Sequence, residues 1–320
     1  MKRFPFKWLL TSLALLCVMA GGACAQAAEP LQIFTSVLPL KYFVERIGGE
    51  RVAVQVMVGP GRSPATYEPK PRQMAALART RLYYRVGVPF ETVWITRIAS
   101  LNPAMEIVDL REGLALRPLE DHHHEEEVEQ RDEHAGHGHD HGHLHDHDHE
   151  QHAESEELDP HVWTDPNLVR QMAERIRATL STADPAGAAV YQANYQVFVQ
   201  DLAELDRFIR QQLAGVKARR FLVFHPSWGY FAAAYGLEQE AIEAAGKEPG
   251  PKALAKLIEQ ARKETIRVIF VQQQFSQATA NTIARAIDGR VVAIDPLAED
   301  YLANMRRTAE AFAQSLEESP

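Results

Sequence analysis

The sequence predicts an α/β fold of two lobes, each a mainly parallel sheet flanked by helices, joined by one long domain-spanning helix. Three observations carry this prediction. Strand-like apolar runs alternate with helical patterns from Gln32 to Leu110, and the same alternation returns from Arg220 to Leu316. Between them a long apolar stripe runs from Asp184 to about Ala214. Alternation of this kind is the sequence form of a parallel sheet with helices on its faces.

The N-terminus is set apart first. Lys2, Arg3 and Lys7 precede an apolar run from Trp8 to Ala20, and small residues follow. Ala23-Cys24-Ala25 and Ala25-Gln26-Ala27 are cleavage signals, so residues 1–27 read as a signal peptide. The run is short of the roughly 20 residues that span a membrane. The expectation is a periplasmic protein released by cleavage. A lipid anchor on Cys24 is the alternative, for which Gly21-Gly22-Ala23 is a poor signal. Cys17 and Cys24 both fall in this leader, so the mature chain has neither a disulfide nor a thiolate ligand.

Each element then follows in order. Gln32–Val37 is strand-like, Leu38–Ile47 is a helix ending at Gly48-Gly49, and Val52–Val58 is a β-rich run stopped by Gly59-Pro60-Gly61. Pro71–Arg79 suits a helix with proline in its first turn. Leu82–Val86 is a buried strand, Phe90–Ala99 a helix and Glu106–Leu110 a short strand. Asp165-Pro166 supplies a cap and first residue for a helix to Leu180. Asp184-Pro185 opens the longest pattern, with Tyr191, Tyr195, Phe198, Leu202, Leu205, Ile209 and Leu213 at spacings of three and four. That is a helix of about 30 residues, or about 45 Å. Arg220–Phe224, Arg267–Val271 and Arg290–Ile294 are the later strands. Trp228–Tyr235, Pro251–Arg262, Thr279–Ile287 and Ala298–Leu316 are the later helices. The domains expected are residues 28–183, a linking helix over 184–215, and residues 216–320.

Between residues 120 and 157 no apolar periodicity survives, which predicts a disordered loop inserted in the first lobe. Twelve of the fourteen histidines lie between His122 and His152. Asp121 to Glu157 also holds fourteen Asp and Glu against Arg131 alone, so this stretch by itself carries −13, more than the formal −9 of the whole sequence. The rest is close to neutral, and no basic stripe points to nucleic acid. His137, His139, His141, His143, His145, His147 and His149 alternate strictly, and in an extended chain such residues share a face. The tract therefore suggests loose metal collection, lost below about pH 6.5 as imidazole protonates.

His161 and His225 are the two histidines outside the tract. His161 sits in Asp159-Pro160-His161-Val162-Trp163, His225 follows a predicted strand in Phe224-His225-Pro226, and Asp295 follows another in Ile294-Asp295-Pro296. Ligands bind at strand C-termini in open α/β sheets. Singly, each of these residues is as ordinary as any hydrogen-bonded polar group or turn. Together, two imidazoles and a carboxylate form a set that holds zinc with one position open.

At these residues the chain resembles the zinc- and manganese-binding solute-binding proteins of bacterial ABC importers. The segments that match are Ser63-Pro64-Ala65-Thr66-Tyr67-Glu68-Pro69, Asp159-Pro160-His161-Val162-Trp163, Phe224-His225-Pro226-Ser227-Trp228-Gly229-Tyr230-Phe231, Gln274-Phe275-Ser276 and Asp295-Pro296-Leu297. The likeness implies a metal held between two α/β lobes by His161, His225 and Asp295. It also implies a membrane permease as partner, a monomer, no small organic substrate and no turnover. Histidine at position 225, where manganese binders carry Glu, points to Zn2+; manganese, nickel and copper are the alternatives. A zinc hydrolase is the second reading, since catalytic zinc also has three protein ligands, but no H-E-x-x-H motif is present.

One departure stands out. The family's first histidine ligand is Ala65 here, and a methyl group coordinates nothing. Water, a loop histidine or Glu68 are the alternatives for the missing donor. Gln272 replaces an acidic residue usual in the family and is not read as a ligand.

Overall fold

Strand β1 (Leu31–Val37) pairs in parallel with β2 (Val52–Val58) and β3 (Leu82–Arg85), and β3 pairs in parallel with β4 (Glu106–Asp109). The computed structural model describes residues 29–119, 158–243, 246–275 and 277–317. The expected signal peptide and the histidine-rich tract lie outside the described residues. From Leu31 onward the described residues form one compact unit. Among them no helix is long and apolar enough to cross a membrane.

The crossovers are short helices opened by proline. These are α1 (Leu38–Gly48), α2 (Pro71–Leu77) and α3 (Pro89–Leu101), in each of which proline occupies one of the first two positions. Proline costs nothing there, because those amides have no intrahelical acceptor. Helix α4 (Pro166–Ala183) adds a side-chain cap, with Asp165 accepting from Asn167 N at 2.8 Å.

The long helix, α5 (Ala188–Leu213), starts later than the sequence pattern suggested, after a 3-10 turn over Pro185–Gly187. Asp184 holds that turn by accepting from Arg51 Nε at 2.8 Å and from Tyr191 Oη at 2.5 Å. A Cβ on Gly187 would lie 2.5 Å from both Arg51 and Asp184, so a larger residue there would have to push this pair aside.

The second half repeats the first. Strand β5 (Arg220–Val223) pairs in parallel with β6 (Glu238–Ala241) and β7 (Val268–Val271), and β7 with β8 (Arg290–Ala293). The orders are β2-β1-β3-β4 and β6-β5-β7-β8, so in each sheet the strand order reverses between its two central strands. Helices α6 (Gly229–Tyr235), α7 (Pro251–Lys263), α8 (Gln277–Ala286) and α9 (Tyr301–Glu317) complete the layers. The fold class is therefore the one the alternation predicts: two parallel sheets flanked by helices, with one long helix between them.

Two corrections concern this half. Strand β6 was not expected, because Glu238-Gln239-Glu240 carries no apolar pattern; it is an edge strand held by the β5 ladder. Helix α9 begins at Tyr301 rather than Ala298. Asp300 caps it, accepting from Ala303 N at 3.2 Å, while Asp295 folds the residues before it into a turn by accepting from Leu297 N at 2.9 Å.

One apolar core runs through both halves, from Ile33, Phe43 and Tyr84 through Phe198 and Leu202 of α5 to Phe221, Phe270 and Phe312. A smaller cluster around Leu222, Ile269 and Ile283 covers the outer face of the second sheet. The two lobes thus share a core instead of closing separate ones.

Candidate metal centre

The middle of the second sheet is where the strand order reverses, and crevices for ligands open at that point. Phe224, the first residue after β5, donates to Phe270 O at 2.9 Å, and His225 comes next. Gln272 is the residue after β7, the neighbouring strand. It accepts from His225 N at 3.3 Å and donates from Nε2 to His225 O and to Ser227 Oγ, both at 2.6 Å. Phe275 stacks on the His225 ring, with centroids 5.1 Å apart and planes at 25°.

His161 comes from the segment that re-enters at Leu158, where Pro118 and Leu158 form an antiparallel bridge. Asp159 organises it. One carboxylate oxygen accepts from His161 N at 2.9 Å and meets His161 Nδ1 at 2.7 Å. Tyr230 Oη of α6 donates to Asp159 O at 3.1 Å and accepts from Arg117 N at 3.0 Å, so the segment is tied to the second half of the chain. Trp163 Nε1 donates to Pro296 O at 2.7 Å, tying it also to the Asp295 turn.

The two imidazoles meet. Their centroids lie 5.2 Å apart at 78°, beside a cavity of about 60 Å³ that Ser63, Ala65, Val88, Pro89 and Gln272 also line. His225 Nδ1 bonds to the carboxylate of Glu243, which follows β6 and is 3% exposed. Each histidine therefore gives Nδ1 to a buried carboxylate, and among the described residues no hydrogen bond engages its Nε2. This is the arrangement by which outer carboxylates fix tautomer and ring orientation in metal-binding histidines. Burial holds the His225 imidazole below its ordinary pKa; the Glu243 bond opposes this, and nearby His161 reinforces it. Burial thus favours the neutral His225 ring, the form that can donate to a metal.

The remaining expected residues are placed differently. Asp295 follows β8, but one of its carboxylate oxygens already accepts from Leu297 N at 2.9 Å and Gln274 Nε2 at 3.3 Å. Gln274, Pro296 and Leu297 line the cavity beside it, whereas Asp295 itself does not. Among the described residues no three or more His, Cys, Asp or Glu groups converge on one point. Glu68 is exposed and away from the cavity, while Ala65 is at its wall. The seven alternating histidines from His137 to His149 lie outside the described residues.

Sequence reasoning missed Asp159 and Glu243. Asp159 was legible, since Asp-Pro-His places a carboxylate two residues before the imidazole. Glu243 had no signal, because the strand that carries it was not expected. A larger open groove of about 390 Å³ lies along edge strand β6, but its Arg220 is paired with Glu238 at 2.8 Å and Glu264 at 2.6 Å. It brings no metal donors together.

Comparison with known proteins gives a consistent result. The family model described as ZnuA, zinc-uptake complex component A, periplasmic, matches residues 33–315. The zinc-binding lipoprotein AdcA of Streptococcus pneumoniae is 26% identical over 97% of the chain, which spans 60% of that relative's length. The manganese-binding lipoprotein MntA of Halalkalibacterium halodurans is 26% identical over 99% of each chain. Among solved structures, a zinc-bound deletion mutant of ZnuA superposes with a TM-score of 0.77 at 33% identity, covering 91% of this chain and 100% of that one.

Proposed function

The chain belongs to the ZnuA family, and from that premise we propose that it is a receptor outside the cytoplasm that captures Zn2+ and delivers it to an ABC-type permease. The family consists of binding components of metal importers and not of enzymes. Zinc is cargo here: it must be held, protected and given up. The carrying observation is the pair of imidazoles 5.2 Å apart, each locked through Nδ1 by a buried carboxylate. Neutral imidazole suits zinc, whereas carboxylate-rich sites suit manganese. Manganese is the second reading, favoured by the Asp295 carboxylate beside the cavity and by the likeness to MntA.

In this proposal His161 Nε2 and His225 Nε2 are the imidazole donors. Asp295 joins them when its carboxylate exchanges Leu297 N and Gln274 for the ion. Ala65 leaves the fourth position to water or to another donor. Cleavage after the signal peptide releases a monomer, and Cys24 carries no lipid.

Calorimetric titration with zinc and manganese tests this on three forms: the intact mature chain, a deletion of residues 121–152, and that deletion carrying His225→Ala. One tight zinc site survives the deletion, binds zinc more tightly than manganese, and disappears with His225→Ala. Tight binding that survives His225→Ala overturns the site, and tighter manganese binding overturns the choice of metal. Loss of tight binding on deletion alone assigns the fourth donor to the histidine tract.

A further inference from the structure

A histidine that leaves a strand has main-chain groups that the ladder no longer pairs. At His225 one buried side chain reaches both groups, and Ser227 N also donates to His225 O at 2.7 Å. Gln272 is 1% exposed, accepts from His225 N at 3.3 Å and donates to His225 O at 2.6 Å. Its second donated bond, 2.6 Å to Ser227 Oγ, fixes the next turn of chain. With both main-chain groups held, the ring direction is set by Glu243 on one edge and Phe275 on one face. An amide suits this. It offers an acceptor and two donors, whereas an ionised carboxylate offers acceptors alone: the Ser227 hydroxyl could turn to donate to it, but the His225 carbonyl would meet it without a proton between them.

We infer that Gln272 is a positioning residue that aims His225 at the ion, and that it does so because it is an amide. The inference rests on the reading of His225 as a zinc donor. Gln272 touches no metal in this account; it acts through the His225 main chain.

The test measures zinc affinity by chelator competition, together with metal-free melting temperature, on the full mature chain. The variants are Gln272→Met, Gln272→Glu, His225→Ala and the His225→Ala/Gln272→Met pair. Gln272→Met and Gln272→Glu each weaken zinc binding about 10-fold or more, the range for outer-shell partners. The paired variant binds zinc no more weakly than His225→Ala alone, because Gln272 has no other route to the ion. The melting temperature separately reports any loss of packing. Gln272→Glu keeps the buried volume and stands in if Gln272→Met does not fold. Binding within twofold of wild type in both Gln272 variants overturns the inference while leaving the site intact. So does a further 10-fold loss in the paired variant. If His225→Ala itself leaves zinc affinity unchanged, the site reading fails and the inference falls with it.

Discussion

Replacing Glu243 by Gln probes the outer shell with the least disturbance. The carboxylate is 3% exposed and bonds His225 Nδ1, so solvent screening takes little from its charge. Gln keeps an acceptor at the same reach, which preserves ring orientation and removes only the charge. Outer-shell changes cost about 10- to 100-fold in metal affinity. With geometry retained, the low end applies: about 10-fold, or about 1.4 kcal/mol. The pH dependence follows from the sign of the interaction. The Glu243 bond raises the His225 pKa against the lowering by burial, so the variant carries a still less basic imidazole. Zinc and protons compete for that nitrogen. As pH falls below about 6.5 the wild type therefore loses more affinity than the variant, and the gap narrows. Chelator-competition titrations at pH 7.5, 6.5 and 6.0 read this directly. Affinity within twofold of wild type at pH 7.5, or a gap that widens on acidification, refutes the reasoning.

Ala65→His places a third imidazole on the cavity wall. A four-ligand zinc site is worth about 10–16 kcal/mol, so one added ligand contributes roughly 2–4 kcal/mol, about 100-fold in affinity. An unchanged zinc affinity shows that position 65 does not reach the ion. Zinc at 100 times its dissociation constant stabilises the fold by about 2.7 kcal/mol, a rise of roughly 5–10 °C in melting temperature for a chain of this size. Calorimetry should show a smaller rise with manganese. Phe312→Ala removes a fully buried ring whose centroid lies 4.2 Å from Phe270 and 5.2 Å from Phe231. Denaturant unfolding should record a loss of about 3–5 kcal/mol.

Much of this architecture was legible because buried parallel strands are written as apolar β-branched runs. Val52–Val58 and Val268–Val271 could hardly be anything else, and prolines opening α1, α2, α3 and α7 mark where each run gives way to a helix. Edge strand β6 was invisible because its polar residues pair through the main chain, which leaves no periodic trace. Glu243 went unseen with it. His161 and His225 were conspicuous as isolated histidines in a body that otherwise has none. The position of Asp295 after a strand was also legible, but its engagement by Leu297 and Gln274 is a tertiary fact. No local pattern encodes which hydrogen bonds a carboxylate has already made. The vacancy at Ala65 was legible through the family resemblance alone, since an alanine by itself signals nothing.

The shared core has a kinetic consequence. Swinging the two halves widely apart would strip α5 from α1 or α9 and expose Phe198, Phe43 and Tyr301, whose rings lie 4.8–5.7 Å apart in pairs with Phe43. Exposing three such side chains costs about 5–9 kcal/mol, so a wide-open state would hold roughly one molecule in several thousand or fewer. Small rearrangements at the rim are far cheaper: the turn at Asp295-Pro296-Leu297 is held by a few hydrogen bonds, and Ser63-Pro64-Ala65 by those from Ala65 N to Ser63 Oγ at 3.3 Å and from Phe90 N to Pro64 O at 3.2 Å. In the proposed receptor the dwell time of a captured ion is then governed by these short segments. A partner could hasten release by pressing on them, without prising the body apart.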